Sequence, residues 1–525
     1  MSKIEIFDST LRDGAQGESI SFSVQDKLDI IRLLDDIKID YIEAGNPASN
    51  PKDAELFEKI KHLKLKHSKL VAFGPTRRKN SSADKDTALN ILGDAPVDTV
   101  SVFGKCWDLH VSEILHTTND ENINMIADSI AYLKAKGKQV FFDAEHFFDG
   151  FKSNKEYALK VLSAAVDSGA DRLVLCDTNG GTFYDEISDI TAQVILNFPN
   201  TKIAIHCHND CGMAVASSVA AVYCGADQVQ GTFIGIGERC GNTSLASVIA
   251  NLQIKRDYQC IPQDKLSLIT PTARHIAEIA NTSIKRSEPY IGSAAFTHKA
   301  GMHADGVVKN TATFEHIEPS AVGNKRKLPV SEISGKTAIH HKISRFMPQI
   351  GKDEELIAKV TDELKRLENQ GYQFEAAQAS FQMLCRRLLS DYTPSFKLIS
   401  YNVSDVLPYT EGSSACATIK VEAGGETKSA QCLGEGPVNA LDKALRESLK
   451  GFFPQLKSVH LIDYKVRVMD SKNATGAVVR VLITSTDGTD IWTTVGASCD
   501  IIEASWIALC DSIEYKLNFL NQPKG

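Results

Sequence analysis

No run of about 18 apolar residues occurs in this 525-residue sequence, so no membrane-spanning helix is expected. The opening residues, MSKIEIFDST, lack an apolar core behind a basic flank, which argues against a secretory signal. No CxxC pair occurs among the 12 cysteines. Scattered singly, they read as reduced, mostly buried thiols of a cytoplasmic protein and not as a disulfide framework. Basic excess is missing too. Lys and Arg number 58 against 66 Asp and Glu, a formal charge of −8, so nucleic acid is not the expected partner. Compositional bias is absent: 43% hydrophobic and 24% charged residues exclude a disordered chain and a collagen. At roughly 100–200 residues per domain, the length suggests about three domains, or one large barrel with appendages.

What is present is a repeated alternation over residues 4–255. Short β-branched runs precede loops and amphipathic stretches of helical period. The predicted strands are 4–10, 41–47, 69–74, 99–105, 139–147, 172–178, 202–208 and 228–235. Helical stretches such as VQDKLDIIRLLDDI and KEYALKVLSAAVDSGA separate them, and the second ends on a helix-closing Gly. Eight such units in about 250 residues match the size and count of a TIM barrel. A doubly wound sheet is the alternative, but it usually has fewer strands.

Polar residues gather where the predicted strands end: Asp8, Thr10, Arg12 and Asp13; Glu43 and Asn46; Asp143 and Glu145; Asp177 and Thr178; His206, His208, Asn209 and Asp210. In a barrel those ends share one rim, where active sites form. His206 and His208 are two apart on one strand, so both imidazoles face one way. They read either as two ligands of a metal ion or as two satisfied polar histidines. Asp13 is a plausible third ligand. Arg12 brings a permanent cation beside the same pocket or makes a surface salt bridge. The loop GIGERCGN (235–242) either offers backbone N–H groups to an anion or forms a tight turn. The stretch 294–310 places His298, His303, Asp305 and Asn310 among small residues, as a closely packing segment or a helix-capping loop.

Residues 270–400 read as mainly helical, with 352–389 the clearest run. Beyond 400, ACATIKVEA, a Gly-Gly-Glu turn and TKSAQCLG read as a hairpin followed by a helix from Pro437. AVVRVLITST, an Asp-Gly turn and DIWTTVGAS repeat that scheme before a second helix. The helices align at a constant offset, pairing Ala440 with Ala504, Ala444 with Ala508, Leu445 with Leu509 and Ser448 with Ser512. Two strand–strand–helix copies, each with one apolar face, are expected to pair as an α+β domain.

The motifs TLRDGAQGE, HCHND, GIGERCGN and THKAGMHADG, in that order and spacing, resemble the acyl-CoA-condensing synthases of the 2-isopropylmalate and homocitrate synthase family. The resemblance runs from about residue 3 to the C-terminus. TLRDGAQGE in place of TLRDGEQ, and the tail string WTTVGASCDIIEASWIAL, resemble the citramalate-forming branch. It implies a barrel catalytic domain (1–265), helical linker subdomains (266–400) and a regulatory domain (401–525) that senses isoleucine. It further implies a divalent metal, zinc, manganese or magnesium, held by Asp13, His206 and His208 with Asn242 close by. Pyruvate and acetyl-CoA are the implied substrates, and a homodimer the implied assembly. Arg12 would face the keto oxygen, and Glu145 and Thr178 would contact the keto acid. Glu145 or His303 would remove the acetyl-CoA proton, with His303 reaching across the dimer.

Three rival readings stand beside this one. The acceptor is 2-oxoisovalerate, giving 2-isopropylmalate; the barrel is a metal-dependent carbon–carbon lyase; or the tail alone acts as an amino-acid sensor. Large residues near the mouth, Phe73, Phe103 and Phe147, would favour pyruvate by filling space, unless they belong to the barrel core.

Overall fold

The computed structural model describes residues 2–328, 336–347, 354–389, 392–410, 413–469 and 476–520. The chain divides into two compact units, Met1–Phe296 with Ile317–Arg326, and Thr297–His316 with Lys327–Gly525.

The first unit is built on eight parallel strands: β1 (Glu5–Asp8), β2 (Tyr41–Gly45), β3 (Lys69–Pro75), β4 (Thr99–Lys105), β5 (Gln139–Glu145), β6 (Arg172–Asp177), β7 (Lys202–Cys207) and β8 (Gln228–Gly231). They close in sequence order, with Glu5 to Asp8 of β1 paired against Gln228 to Gly231 of β8. That closure rules out the doubly wound alternative, which leaves two sheet edges open. Local signals set the intervening helices. Ser23 and Asp26 form a reciprocal capping box at the helix Val24–Asp36. Asn50 caps the helix Pro51–Ile60, whose first position holds the proline that suits it. The outward faces of the strands and the inner helix faces form the main apolar core.

Inside the barrel the side chains lie in layers. Phe7, Tyr41, Val71, Phe141, Val174 and Ala204 form an apolar plug. Below it Arg172 is fully buried, paired with Glu5 at 2.6 Å and Asp227 at 2.5 Å, and it lies 5.0 Å from the Phe141 ring centroid. A buried guanidinium is tolerated when carboxylates and an aromatic face compensate its lost hydration. The strand period of two puts the next inward layer two residues on: Glu43, Phe73, Asp143, Cys176 and His206. The plug is therefore the floor of the functional site.

In the second unit, β9 (Lys397–Thr410), β10 (Ser413–Ala423) and β11 (Glu426–Gly434) form one antiparallel sheet in the order β11-β10-β9. β12 (His460–Val468), β13 (Val479–Thr486) and β14 (Ile491–Ser498) form the other. Each sheet is followed by a helix, Pro437–Leu449 or Ile501–Tyr515. The expected strand–strand–helix repeat thus becomes strand–strand–strand–helix. The two unpredicted strands, β9 and β12, are edge strands; β12 alternates Ile462, Tyr464, Val466 and Val468 with polar residues, and that apolar face is exposed. The helix register is as expected: Ala440, Ala444, Leu445 and Ser448, and their counterparts Ala504, Ala508, Leu509 and Ser512, are all buried. The expected helical run is two helices, Glu354–Asn369 and Gln378–Leu389, interrupted at Gly371, whose φ of +103° no helix accommodates. Residues 329–335, 348–353 and 390–391 of the stretch expected to be helical lie outside the described residues.

Candidate active site

Asp13, His206 and His208 converge at the C-terminal mouth of the barrel, their ligand atoms all within 4.8 Å of one another. His206 Nε2 lies 3.5 Å and His208 Nε2 3.8 Å from Asp13 Oδ2. The Asn242 amide donates to Asp13 Oδ1 at 2.9 Å, while its own Oδ1 and His208 Nδ1 are buried with no hydrogen-bond partner among the described residues. One carboxylate, two imidazoles and an amide oxygen form a donor set for a divalent ion. Burial pushes the His206 imidazole down to about 3. Burial opposes ionisation of Asp13 as well, but Arg12 and the two histidines hold its carboxyl at about 2. A neutral imidazole and an ionised carboxylate are the protonation states that ligation requires.

Arg12 is fixed on three sides. Its Nε donates to Glu43 at 2.6 Å, its guanidinium lies 3.2 Å from Asp13 Oδ2, and it sits 4.0 Å from the Phe73 ring centroid. Ser9 also donates to Glu43. The ion pairs of Arg12 are buried and not on the surface. Its partners are buried, and the residue lines a cavity of about 220 Å³. The same cavity is lined by Asp13, Phe73, Phe103, Asp143, Glu145, Thr178, His206 and His208. Phe73 and Phe103 stack with centroids 5.1 Å apart and narrow it. Phe147 does not reach it. That ring is buried between Phe148 and Phe151 in the outer core.

Glu145 ends β5 and pairs with Lys105 at the end of β4, 2.5 Å away. Thr178 accepts a hydrogen bond from the backbone N–H of His146 at 2.9 Å, which locks the loop after β5 against the loop after β6. Two buried carboxyls are unusual, Asp143, which lines this cavity, and Asp8, which ends β1 and does not line it. Burial, with Glu43 adding, pushes Asp143 up to about 7, although Ser101 donates to it at 2.6 Å. Burial likewise raises Asp8 to about 7, and its neighbour Thr10 donates to it. Both are poised near neutrality, as is common at functional sites.

The loop 235–242 is held by backbone hydrogen bonds across its two ends. The N–H groups of Gly235, Gly241 and Asn242 donate to Thr232, Glu238 and Gly235 carbonyls, so they are not displayed to an anion. Gly237 has a φ of +155°, and a Cβ there would run into the Asn242 amide. The glycine is what lets Asn242 approach Asp13.

His303 belongs to the second unit. It lies in the helix Gly301–Lys309, is exposed, and stacks on Phe314 with centroids 4.2 Å apart. In the same unit, His298 is buried against Glu315 at 3.1 Å. Sequence reasoning missed Ser101, Lys105 and Cys176 as members of the site. A signal existed for the first two: Ser101, Phe103 and Lys105 alternate along β4 on one face. Cys176 hid inside an apolar run.

Three family descriptions match the chain in tandem: "HMGL-like" over residues 3–276, "Homocitrate synthase post-HMGL domain-like" over 290–372 and "LeuA allosteric (dimerisation) domain" over 375–517. An (R)-citramalate synthase of Aquifex aeolicus is 49% identical over 524 residues, covering 98% of both chains. That of Geobacter sulfurreducens is 44% identical, covering 100% of this chain and 99% of its own. A probable 2-isopropylmalate synthase of Methanopyrus kandleri is 30% identical, with 96% of each chain covered. Rim geometry, domain order and full-length similarity agree: the chain belongs to the (R)-citramalate synthase family, on an HMGL-like barrel.

Proposed function

We propose that the protein condenses acetyl-CoA with pyruvate and hydrolyses the thioester, releasing citramalate and CoA on a route to isoleucine. The observation that carries this reading is the small cavity holding Arg12, Glu145, Thr178 and the Asp13–His206–His208 cluster together. The stacked pair Phe73–Phe103 favours a methyl ketone over a branched one, because each methylene is worth about 1–3 kcal/mol in such a pocket.

Asp13, His206, His208 and Asn242 would hold a divalent ion, zinc, manganese or magnesium. When bound, such an ion polarises a carbonyl as a Lewis acid. The chain's own residues do the rest. Thr178 and Arg12 orient the keto acid. Glu145 takes a proton from the acetyl methyl group, and the carbanion attacks the keto carbon. Arg12, held by Glu43 and charged throughout, stabilises the alkoxide that forms. The proton held by Glu145 passes to that alkoxide; water then adds to the thioester carbonyl, the C–S bond breaks, and a proton from the water leaves on the CoA sulfur as the free thiol. His303 is the second candidate for the proton transfer, supplied by the segment after the barrel.

The C-terminal unit supports a homodimer whose two-fold domain binds an amino-acid effector, isoleucine, with the Gly434–Pro437 turn at its first helix as a candidate carboxylate contact. Among the described residues no helix is long and apolar enough to cross a membrane. Together with the cysteines, none of them paired, this supports a cytoplasmic enzyme.

Release of free CoA thiol from acetyl-CoA, with pyruvate and 2-oxoisovalerate run side by side and with or without a chelator, tests the reading. Chelator-sensitive release with pyruvate is expected. Release with 2-oxoisovalerate alone would overturn the acceptor, and release in neither would overturn the condensation.

A further inference from the structure

In the condensation, Arg12, Thr178 and the Asp13–His206–His208 cluster engage the carboxylate and the keto oxygen of the acceptor, and Glu145 faces the acetyl group. The third substituent of the keto carbon is left to the rest of the cavity lining. Gln16 and Glu238 are exposed at its outer edge. Deeper in stand Phe73, Phe103, Cys176 and Asp143. Asp143 is the register partner of Phe103 across β4 and β5, and it lies one side-chain layer beneath Glu145 on the same strand face. The wall that meets the substituent is therefore not purely apolar.

Asp143 is buried, and Ser101 fixes only one of its oxygens, donating to Oδ1 at 2.6 Å. Oδ2 makes no hydrogen bond among the described residues. An unpaired polar oxygen in a buried wall costs free energy that a hydroxyl laid against it restores and an alkyl group does not. A carboxyl accepts a hydrogen bond from a hydroxyl in either protonation state, so the contact does not depend on which form prevails. Size cannot make the same distinction. A hydroxymethyl and an ethyl group have nearly the same volume, so the stacked rings of Phe73 and Phe103 limit both alike.

We propose that Asp143, fixed by Ser101, is a specificity-determining residue that admits 2-oxo acids carrying a hydroxyl on the carbon next to the keto group, hydroxypyruvate being the simplest, and disfavours apolar acceptors of equal size such as 2-oxobutanoate. This rests on the condensation reading above and widens its substrate class. The step balances as it does with pyruvate. The acetyl methyl carbon loses one proton and bonds to the keto carbon, the keto oxygen gains that proton, and water replaces the sulfur on the acyl carbon. The products are 2-hydroxy-2-(hydroxymethyl)butanedioate and the free CoA thiol.

The test measures CoA thiol release with pyruvate, hydroxypyruvate and 2-oxobutanoate, corrected for acetyl-CoA hydrolysis without acceptor, and identifies the hydroxylated product by its mass. In wild type, kcat/KM for hydroxypyruvate should exceed that for 2-oxobutanoate at least about tenfold, the worth of one buried hydrogen bond. Asp143→Leu, close in volume and apolar, should bring the ratio to one or below. Asp143→Asn, which keeps an acceptor, should hold it above one. A wild-type ratio of one or below overturns the proposal whether or not D143L folds, and so does an unchanged ratio in a D143L that still turns over pyruvate. Release with pyruvate but none with hydroxypyruvate overturns the proposal and leaves the condensation standing. No release with any of the three overturns both.

Discussion

The Arg12 guanidinium lies over the Phe73 ring, 4.0 Å from its centroid, while its Nε donates to Glu43. Charge and orientation are thus held by different neighbours. Arg12→Lys keeps the charge but loses the planar stack and the fork geometry. It should lower kcat about tenfold to a hundredfold with little change in KM for acetyl-CoA, and Arg12→Ala should lower it further. Steady-state kinetics on both variants checks this.

Removing a metal ligand should be read in two ways at once. Asp13→Asn, His206→Ala and His208→Ala should each empty the site by elemental analysis and cut turnover more than about a hundredfold. Asn242→Ala should weaken metal affinity about 10–100-fold, because it removes one oxygen of the donor set and the amide that positions Asp13.

Acceptor choice should follow the aromatic pair. Phe103→Val opens space beside Phe73 without touching the metal cluster. The ratio of kcat/KM for 2-oxoisovalerate over pyruvate should rise at least about tenfold in that variant. An unchanged ratio would place acceptor selection elsewhere.

Glu145 and His303 make separable predictions. Glu145→Gln should abolish exchange of the acetyl-CoA methyl protons with deuterated water and lower kcat about 10²–10⁴-fold. His303→Ala should leave exchange measurable. The reverse order would transfer the base to the helix Gly301–Lys309.

Asp143 gives a pH signature. Its folded value, about 7, stands above the ordinary 3.8, so the protonated carboxyl is favoured in the fold. Its contribution to stability is fully present below about pH 3.8 and is lost as pH rises through 7. Asp143→Asn keeps an acceptor for Ser101 and carries no charge. Its thermal midpoint, relative to wild type, should therefore rise between pH 5 and pH 8 by the extent of that loss.

Much of the barrel could be read from sequence because its signals are local. Most strands carry their own apolar run, and several helices a side-chain cap or a closing glycine. Rim residues such as Asp13, His206 and His208 are polar at strand ends, which stands out against an apolar run. Cys176 does not stand out, since a thiol inside RLVLCD resembles core. Asp143 looked like any loop-proximal carboxylate, because its raised pKa arises from burial that only the closed barrel imposes. Phe73, Phe103 and Phe147 were indistinguishable by type. Two of them face the cavity, and the third, just after β5, turns outward into the helix layer.

The apolar plug has a consequence for how such a cavity changes over time. Tyr41, Val71, Phe141, Val174 and Ala204 stand one layer under Glu43, Phe73, Asp143, Cys176 and His206 on the same strands. The width of the chamber is set by residues that meet the acceptor, but its depth is set by residues that do not. Exchanging a plug ring for a smaller side chain would lower the chamber floor while every reacting group kept its place on the rim. A lineage could therefore reach longer keto acids from below, by substitutions that a comparison of contact residues alone would overlook.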